Sequence, residues 1–167
     1  ATHDLAQGRR LAHRIGVMVK GEIVQTGKAD EIFGSPLNQE VAEFVGVENI
    51  IGGIIVAKDG EVVTIDIEGR LIEAISDYAV GDAVYACIRS EDVTLASARA
   101  ISSARNSLVG EITSVKVRGS LAHVEVNCGF PLVALVTKRS AQELAFESGR
   151  RVYVTFKATA VHVIKKR

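Results

Sequence analysis

The chain has 167 residues, 47% of them hydrophobic and 24% charged, a composition that can bury a core and argues against disorder. No apolar run approaches the roughly 18 to 20 residues needed to cross a bilayer, and the first residues lack the basic start and apolar stretch of a signal peptide, so the chain reads as soluble and intracellular. The zero formal charge averages two unlike parts: residues 1–103 carry 9 Lys/Arg against 16 Asp/Glu, net −7, and residues 104–167 carry 11 against 4, net +7, so the last part is suited to meet an anion, whether a small ligand, a nucleic acid or an acidic domain.

In chain order, Asp4 is placed to cap a helix running to about Ala12. The run Ile15-Gly16-Val17-Met18-Val19 followed by Lys20-Gly21-Glu22-Ile23-Val24-Gln25 predicts a hairpin turning at Lys20-Gly21. Ser35 as N-cap and Pro36 at the first helical position predict a further helix with Val41, Phe44 and Val45 as its apolar stripe and Gly46 as its end. The chain starts without Met, in what reads as a turn entering a helix, which suggests a piece of a larger domain.

Beyond Asn49 the pattern becomes strand-like, with short β-rich runs such as Glu61-Val62-Val63-Thr64-Ile65-Asp66-Ile67 between Gly turns. A repeat is present. Asn49 and Gly53 match Asn106 and Gly110, and Gly81-Asp82-Ala83-Val84-Tyr85 matches Gly149-Arg150-Arg151-Val152-Tyr153. The ends match as well, Arg89-Ser90-Glu91-Asp92-Val93 with Lys157-Ala158-Thr159-Ala160-Val161. Two copies of a small barrel of about 55 to 65 residues, packed as a pair, account for this. In the second copy Ser140-Ala141-Gln142-Glu143 has capping-box spacing and marks a short helix between strands, which makes the barrel OB-like. Alternation places Val152, Val154 and Phe156 on the core face of the next strand, and Tyr153, Thr155 and Lys157 on the other. The expected fold is mainly β: tandem OB-like barrels over 47–101 and 102–167, preceded by a short α+β segment over 1–46.

The two copies differ in the charge they present. Glu48 in the first stands where Arg105 stands in the second, and Glu91 and Asp92 stand where Thr159 and Ala160 do. Acidic groups at those points repel an anion, so the first copy reads as scaffold and the second as receptor. A buried tetrahedral dianion needs converging donors, and Ser102, Ser103, Arg105, Lys157 and Thr159 supply them. On residue type alone these also fit ordinary surface positions at barrel edges.

The string Ser103-Ala104-Arg105-Asn106-Ser107-Leu108-Val109-Gly110-Glu111-Ile112 resembles the opening signature of the molbindin family and of related TOBE-type molybdate-responsive modules. Cys128-Gly129, Ser140-Ala141 and the closing run from Phe156 to Ile164 resemble the remainder of that module. The resemblance implies a molybdate or tungstate ligand held where two modules meet, by Ser103, Arg105, Lys157 and Thr159, with Ser102, Ala104 and Ala158 as further contacts. The first segment resembles the C-terminal end of an ABC transporter nucleotide-binding domain: Thr2-His3-Asp4 the switch-histidine loop, Lys20 to Gly27 the hairpin after it, and Glu31 to Gly46 the helical exit into a regulatory domain. Together they imply the C-terminal part of a molybdate/tungstate importer's ATPase subunit. Such a subunit is a homodimer, lies at the inner face of the plasma membrane, and joins transmembrane permease subunits through the part of the ATPase domain beyond this chain.

The chain holds no phosphate-binding loop, Walker B carboxylate or signature loop, so it is not expected to be an enzyme or to require a cofactor; ATP and Mg²⁺ belong to the complete parent subunit, where His3 would sense the γ-phosphate. Gly21 to Gly27-Lys28 has five residues between its glycines and no following Ser/Thr, which excludes a P-loop. Cys87 and Cys128 lie 41 positions apart without metal spacing and read as reduced residues in or near strands; His123 and His162 read as surface or packing residues, and no metal site is expected. Two alternatives share the fold: a purely structural dimerisation barrel, and an OB-type binder of single-stranded nucleic acid. The latter is disfavoured because only Tyr153, among Phe130, Phe146, Tyr153 and Phe156, is placed on a non-core face for base stacking.

Overall fold

A computed structural model describes residues 4–166. Helix α1 (Leu5–Leu11) starts where Gln7 N–H donates to the Asp4 carboxylate at 3.1 Å, the expected cap. Strands β1 (Ile15–Val19) and β2 (Glu22–Gly27) form the predicted hairpin, and Lys20 (φ 49°) and Gly21 (φ 85°) supply the two left-handed residues of its tight turn. Helices α2 (Ala29–Gly34) and α3 (Gln39–Phe44) follow. The Ser35-Pro36 helix start is corrected by the structure. Ser35 closes α2 instead, and α3 is capped by Asn38, whose side chain accepts from Val41 N–H at 2.9 Å. The cause is Gln25 of β2, which donates to the Ser35 carbonyl and accepts from Leu37 N–H, tying 35–37 to the hairpin as an irregular link.

The β region is two runs of the same design. The first contains β3 (Asn49–Asp59), β4 (Val62–Ile67), β5 (Arg70–Ile75), β6 (Ala83–Ile88), a 3₁₀ turn (Ser90–Asp92) and β7 (Thr94–Ala96). The second contains β8 (Asn106–Arg118), β9 (Leu121–Asn127), β10 (Pro131–Thr137), helix α4 (Lys138–Glu143), β11 (Arg151–Phe156), a 3₁₀ turn (Ala158–Ala160) and β12 (His162–Lys165). Helix α4 starts three residues before Ser140, at an N-cap Thr137 whose hydroxyl accepts from Ser140 N–H at 3.0 Å. Strand β11 keeps the expected alternation, with Val152, Val154 and Phe156 buried.

Each run lends its last strand to the other. The antiparallel sheets run β12-β6-β3-β4-β5 and β10-β9-β8-β11-β7, so β7 of the first run closes the second barrel along β11, and β12 of the second closes the first along β6. One continuous apolar core therefore serves both barrels, from Ile55 and Val63 in the first to Val152 and Phe156 in the second.

The matched Asn and Gly of the repeat have structural tasks. Asn49 and Asn106, both 3% exposed, open β3 and β8, and each clamps a backbone of the opposite barrel. Asn106 accepts from Glu73 N–H at 2.7 Å and donates to the Glu73 carbonyl at 2.9 Å; Asn49 does the same to Val133, at 2.7 and 2.9 Å. Four residues on, Gly53 and Gly110 lie where a neighbouring strand crosses: a Cβ on Gly53 would stand 2.7 Å from the Asp66 carbonyl oxygen, and one on Gly110 2.9 Å from that of Asn127.

The N-terminal segment docks on the outer face of β6 and β12. Val17, Ile32, Phe33, Val41 and Val45 form a second apolar cluster with Cys87 of β6 and Ile164 of β12. Two polar ties reinforce it: Arg89 donates to the Phe33 carbonyl, and the His162 ring lies 2.9 Å from the Pro36 carbonyl oxygen.

Candidate functional site

Ser103, Arg105, Lys157, Ala158 and Thr159 line one cavity of about 590 Å³ at the junction of the barrels, where the chain enters β8 and where it leaves β11. The opposite wall belongs to the first barrel: Ala57, Lys58, Asp59, Val62, Thr64, Glu73 and Ile75. Ser102 and Ala104 face an adjoining cavity of about 510 Å³ that shares Ser103 and Lys157 with the first. The structure thus gathers the donors chosen by sequence although 52 residues separate Arg105 from Lys157. Their positions follow from the fold. Arg105 is fixed by its neighbour Asn106, whose clamp sets the entry of β8; Lys157 is exposed and begins the 3₁₀ turn that buries Ala158. His3 lies outside the described residues.

The polar partners of these groups differ. Ser103, Lys157 and Thr159 have no side-chain hydrogen bond or ion pair among the described residues, so their donors are open to a ligand. The Ser102 hydroxyl accepts from Ala104 N–H at 3.2 Å, and Ala104 and Ala158 offer no side-chain donor. Arg105 is engaged: its Nε and Nη2 meet the two carboxylate oxygens of Glu73 at 2.7 and 3.0 Å. That fork of hydrogen bonds holds the Glu73 carboxyl below the usual carboxylate range and raises Arg105 further above neutrality. Lys58 turns its ammonium to the carbonyls of Asp77 and Tyr78, each at 2.9 Å.

The matching place in the first copy is arranged against an anion. Glu48 pairs with His123 at 3.2 Å, Glu91 and Asp92 occupy the 3₁₀ turn, and Arg89, at the position of Lys157, reaches away to Phe33. Burial and the Glu91 charge push the Asp92 carboxyl up. Glu73 and Lys58 are absent from the sequence-based set because a comparison of equivalent positions looks within one barrel, and both come from the other. The weak signal available is the alternation Ile72-Glu73-Ala74, which turns Glu73 away from the core.

The cysteines are free and buried, and burial pushes the Cys87 thiol up to about 12 and the Cys128 thiol up to about 11. Phe130, Phe146 and Phe156 are buried in the shared core, and Tyr153 is half-buried. The segment from Gly21 to Lys28 is hairpin strand and helix cap.

The fold is a pair of OB-like barrels that exchange their last strands, with open donors at their junction. Residues 102–163 match the TOBE domain family. Over 97% of its length it is 34% identical to the molybdate/tungstate import ATP-binding protein WtpC of Pyrococcus abyssi, and equally to that of Pyrococcus horikoshii. It is also 31% identical, over 99% of its length, to the spermidine/putrescine import ATP-binding protein PotA of Acetivibrio thermocellus. The chain spans 43–45% of these relatives. In fold it matches the cytoplasmic molybdate-binding protein ModG with a TM-score of 0.62 and 23% identity, covering 71% of this chain and 96% of that one. No helix among the described residues is long and apolar enough to cross a membrane.

Proposed function

We propose that this chain is the regulatory part of a molybdate/tungstate importer's ATPase subunit, binding the oxyanion in the cytoplasm and restraining transport when it accumulates. One observation carries the reading: Ser103, Lys157 and Thr159, from opposite ends of the second run, present unpartnered donors to the cavity that Arg105 lines. A tetrahedral dianion is recognised by such a set, with ammonium and guanidinium for charge and hydroxyls for the remaining oxygens. The cavity is open and far wider than one such ion, which fits a site completed by a second copy in a homodimer. Permease subunits at the inner membrane face and ATP with Mg²⁺ belong to the whole subunit, and the segment 1–46 is its nucleotide-binding domain's last portion.

A structural barrel without ligand is the second reading, favoured by the 31% identity to a spermidine/putrescine importer's ATPase, since transport of a polycation gives no role to an oxyanion. Calorimetric titration with molybdate, tungstate and sulfate separates the two. Saturable binding of the larger ions that Arg105→Ala or Lys157→Ala abolishes supports the sensor; no heat from any ion leaves the structural barrel.

A further inference from the structure

We propose that Glu73 is a built-in competitor for the oxyanion: its carboxylate occupies Arg105 in the empty site, and ligand enters by displacing it. This rests on the oxyanion reading of the same cavity. The geometry is that of a pre-formed anion complex. Both carboxylate oxygens meet one edge of the guanidinium, at 2.7 and 3.0 Å, as two oxygens of a tetrahedral oxyanion would. The Arg105 side chain is 69% exposed and Glu73 28%, so the pair is reachable from the cavity.

The placement of Glu73 is fixed by the residue next to the arginine. Asn106 binds the Glu73 backbone on both its N–H and its carbonyl, so Arg105 and the carboxylate that caps it are set by the same two-residue unit. The other donors, Ser103, Lys157 and Thr159, are left open. Arg105 therefore exchanges one anion for another and never faces the cavity unpaired. The exchange selects for charge: a monoanion replaces the carboxylate with no net gain, whereas a dianion brings one extra charge to Lys157. It also sets a threshold, because apparent affinity is the intrinsic affinity reduced to the fraction of sites in which Arg105 is released.

The test is calorimetric titration of molybdate into the full chain and into Glu73→Gln, Glu73→Asp and Asp59→Asn. Gln cannot pair as an ion, Asp is one carbon too short to keep the fork, and Asp59 lines the cavity without an ion pair among the described residues. Tightening of about three- to tenfold in Glu73→Gln, a smaller gain in Glu73→Asp and less than about twofold in Asp59→Asn are expected for an exposed pair opposing a dianion. Wild-type binding that Glu73→Gln leaves unchanged or weakens would overturn the competitor and leave the oxyanion site standing. Equal gains in Glu73→Gln and Asp59→Asn would overturn it in favour of general repulsion. No binding by any of the four proteins would overturn both readings.

Discussion

Replacing Asn106 by Ala removes a clamp that is structural and functional at once, and its cost follows from the geometry. Two hydrogen bonds to the Glu73 backbone, at 2.7 and 2.9 Å, disappear from a side chain that is 3% exposed. Each is worth about 1 kcal/mol net, and each backbone group left without a partner costs a further 1 to 3 kcal/mol unless water reaches it. Glu73 is half-buried, so water relieves part of this, and a total of about 2–4 kcal/mol is expected. With a urea slope of about 2 kcal/mol/M the midpoint falls by about 1–2 M. The chain has 3 Tyr and no Trp, so far-ultraviolet circular dichroism is the suitable probe. Asn49→Ala breaks the equivalent clamp on Val133 and should cost the same. The two differ in function: only Asn106→Ala disturbs Glu73 and Arg105, so only it should alter oxyanion affinity. A loss below about 0.5 kcal/mol for both variants would refute the clamp as a stabilising device.

Gly110→Ala should destabilise by about 1–3 kcal/mol through overpacking, since its Cβ would press on Val126 and stand 2.8 Å from Cys128 Sγ, while Gly8→Ala in α1, with open space around it, should be neutral or stabilising; urea unfolding measures both. A thiol reagent at pH 8 should label neither cysteine of the native chain and both in urea, because thiols at about 12 and about 11 hold on the order of 0.1% thiolate or less. Asp82 accepts from Ala79 N–H at 3.0 Å and pairs with Lys165 at 2.9 Å, which lowers its carboxyl below the ordinary value. Its contribution is therefore full above about pH 4 and disappears as the pH falls through the folded value, so the urea midpoint of Asp82→Asn should drop less than that of the wild type between pH 5 and pH 2. Separate peptides covering 47–101 and 102–167 should each lack native strand structure and recover it on mixing, because each barrel needs the other's last strand; a folded 102–167 alone, seen by dispersed amide resonances, would contradict this.

The doubled barrel was legible because the repeat preserves the residues that build it: the clamp Asn, the Gly at the strand crossing and the 3₁₀ turn before the last strand. The exchange of β7 and β12 was not, since three- and four-residue strands after like turns carry no mark of the sheet they join. Helix existence was readable in α3 and α4, but both starts were displaced by three residues. In each case a Ser with good capping chemistry competed with a real cap, Asn38 or Thr137, and only tertiary contacts such as those of Gln25 decided between them. Arg105 and Thr159 stood out through the charge contrast between copies, and Lys157 through the resemblance of its motif. Glu73 did not, because its meaning arises from a contact between barrels.

The strand exchange also gives the cavity a short mechanical route to the N-terminal segment. Lys157 and Thr159 line the cavity and border the buried Ala158; three residues after Thr159 the chain becomes β12, which lies in the first barrel's sheet. That strand carries His162, against the Pro36 carbonyl, and Ile164, in the cluster with Val17, Ile32 and Val41. Had β12 stayed in its own barrel, the N-terminal segment would rest on the first run alone, remote from the donors. On the proposed oxyanion reading, a shift of the 3₁₀ turn toward an anion would pull on the strand that packs against Val17, Ile32 and Val41. Differential affinity for two positions of that strand is all that regulation requires thermodynamically. The acidic first copy fits the same scheme: Arg89, the counterpart of Lys157, donates to the Phe33 carbonyl, so one copy anchors the segment while the other presents the open donors.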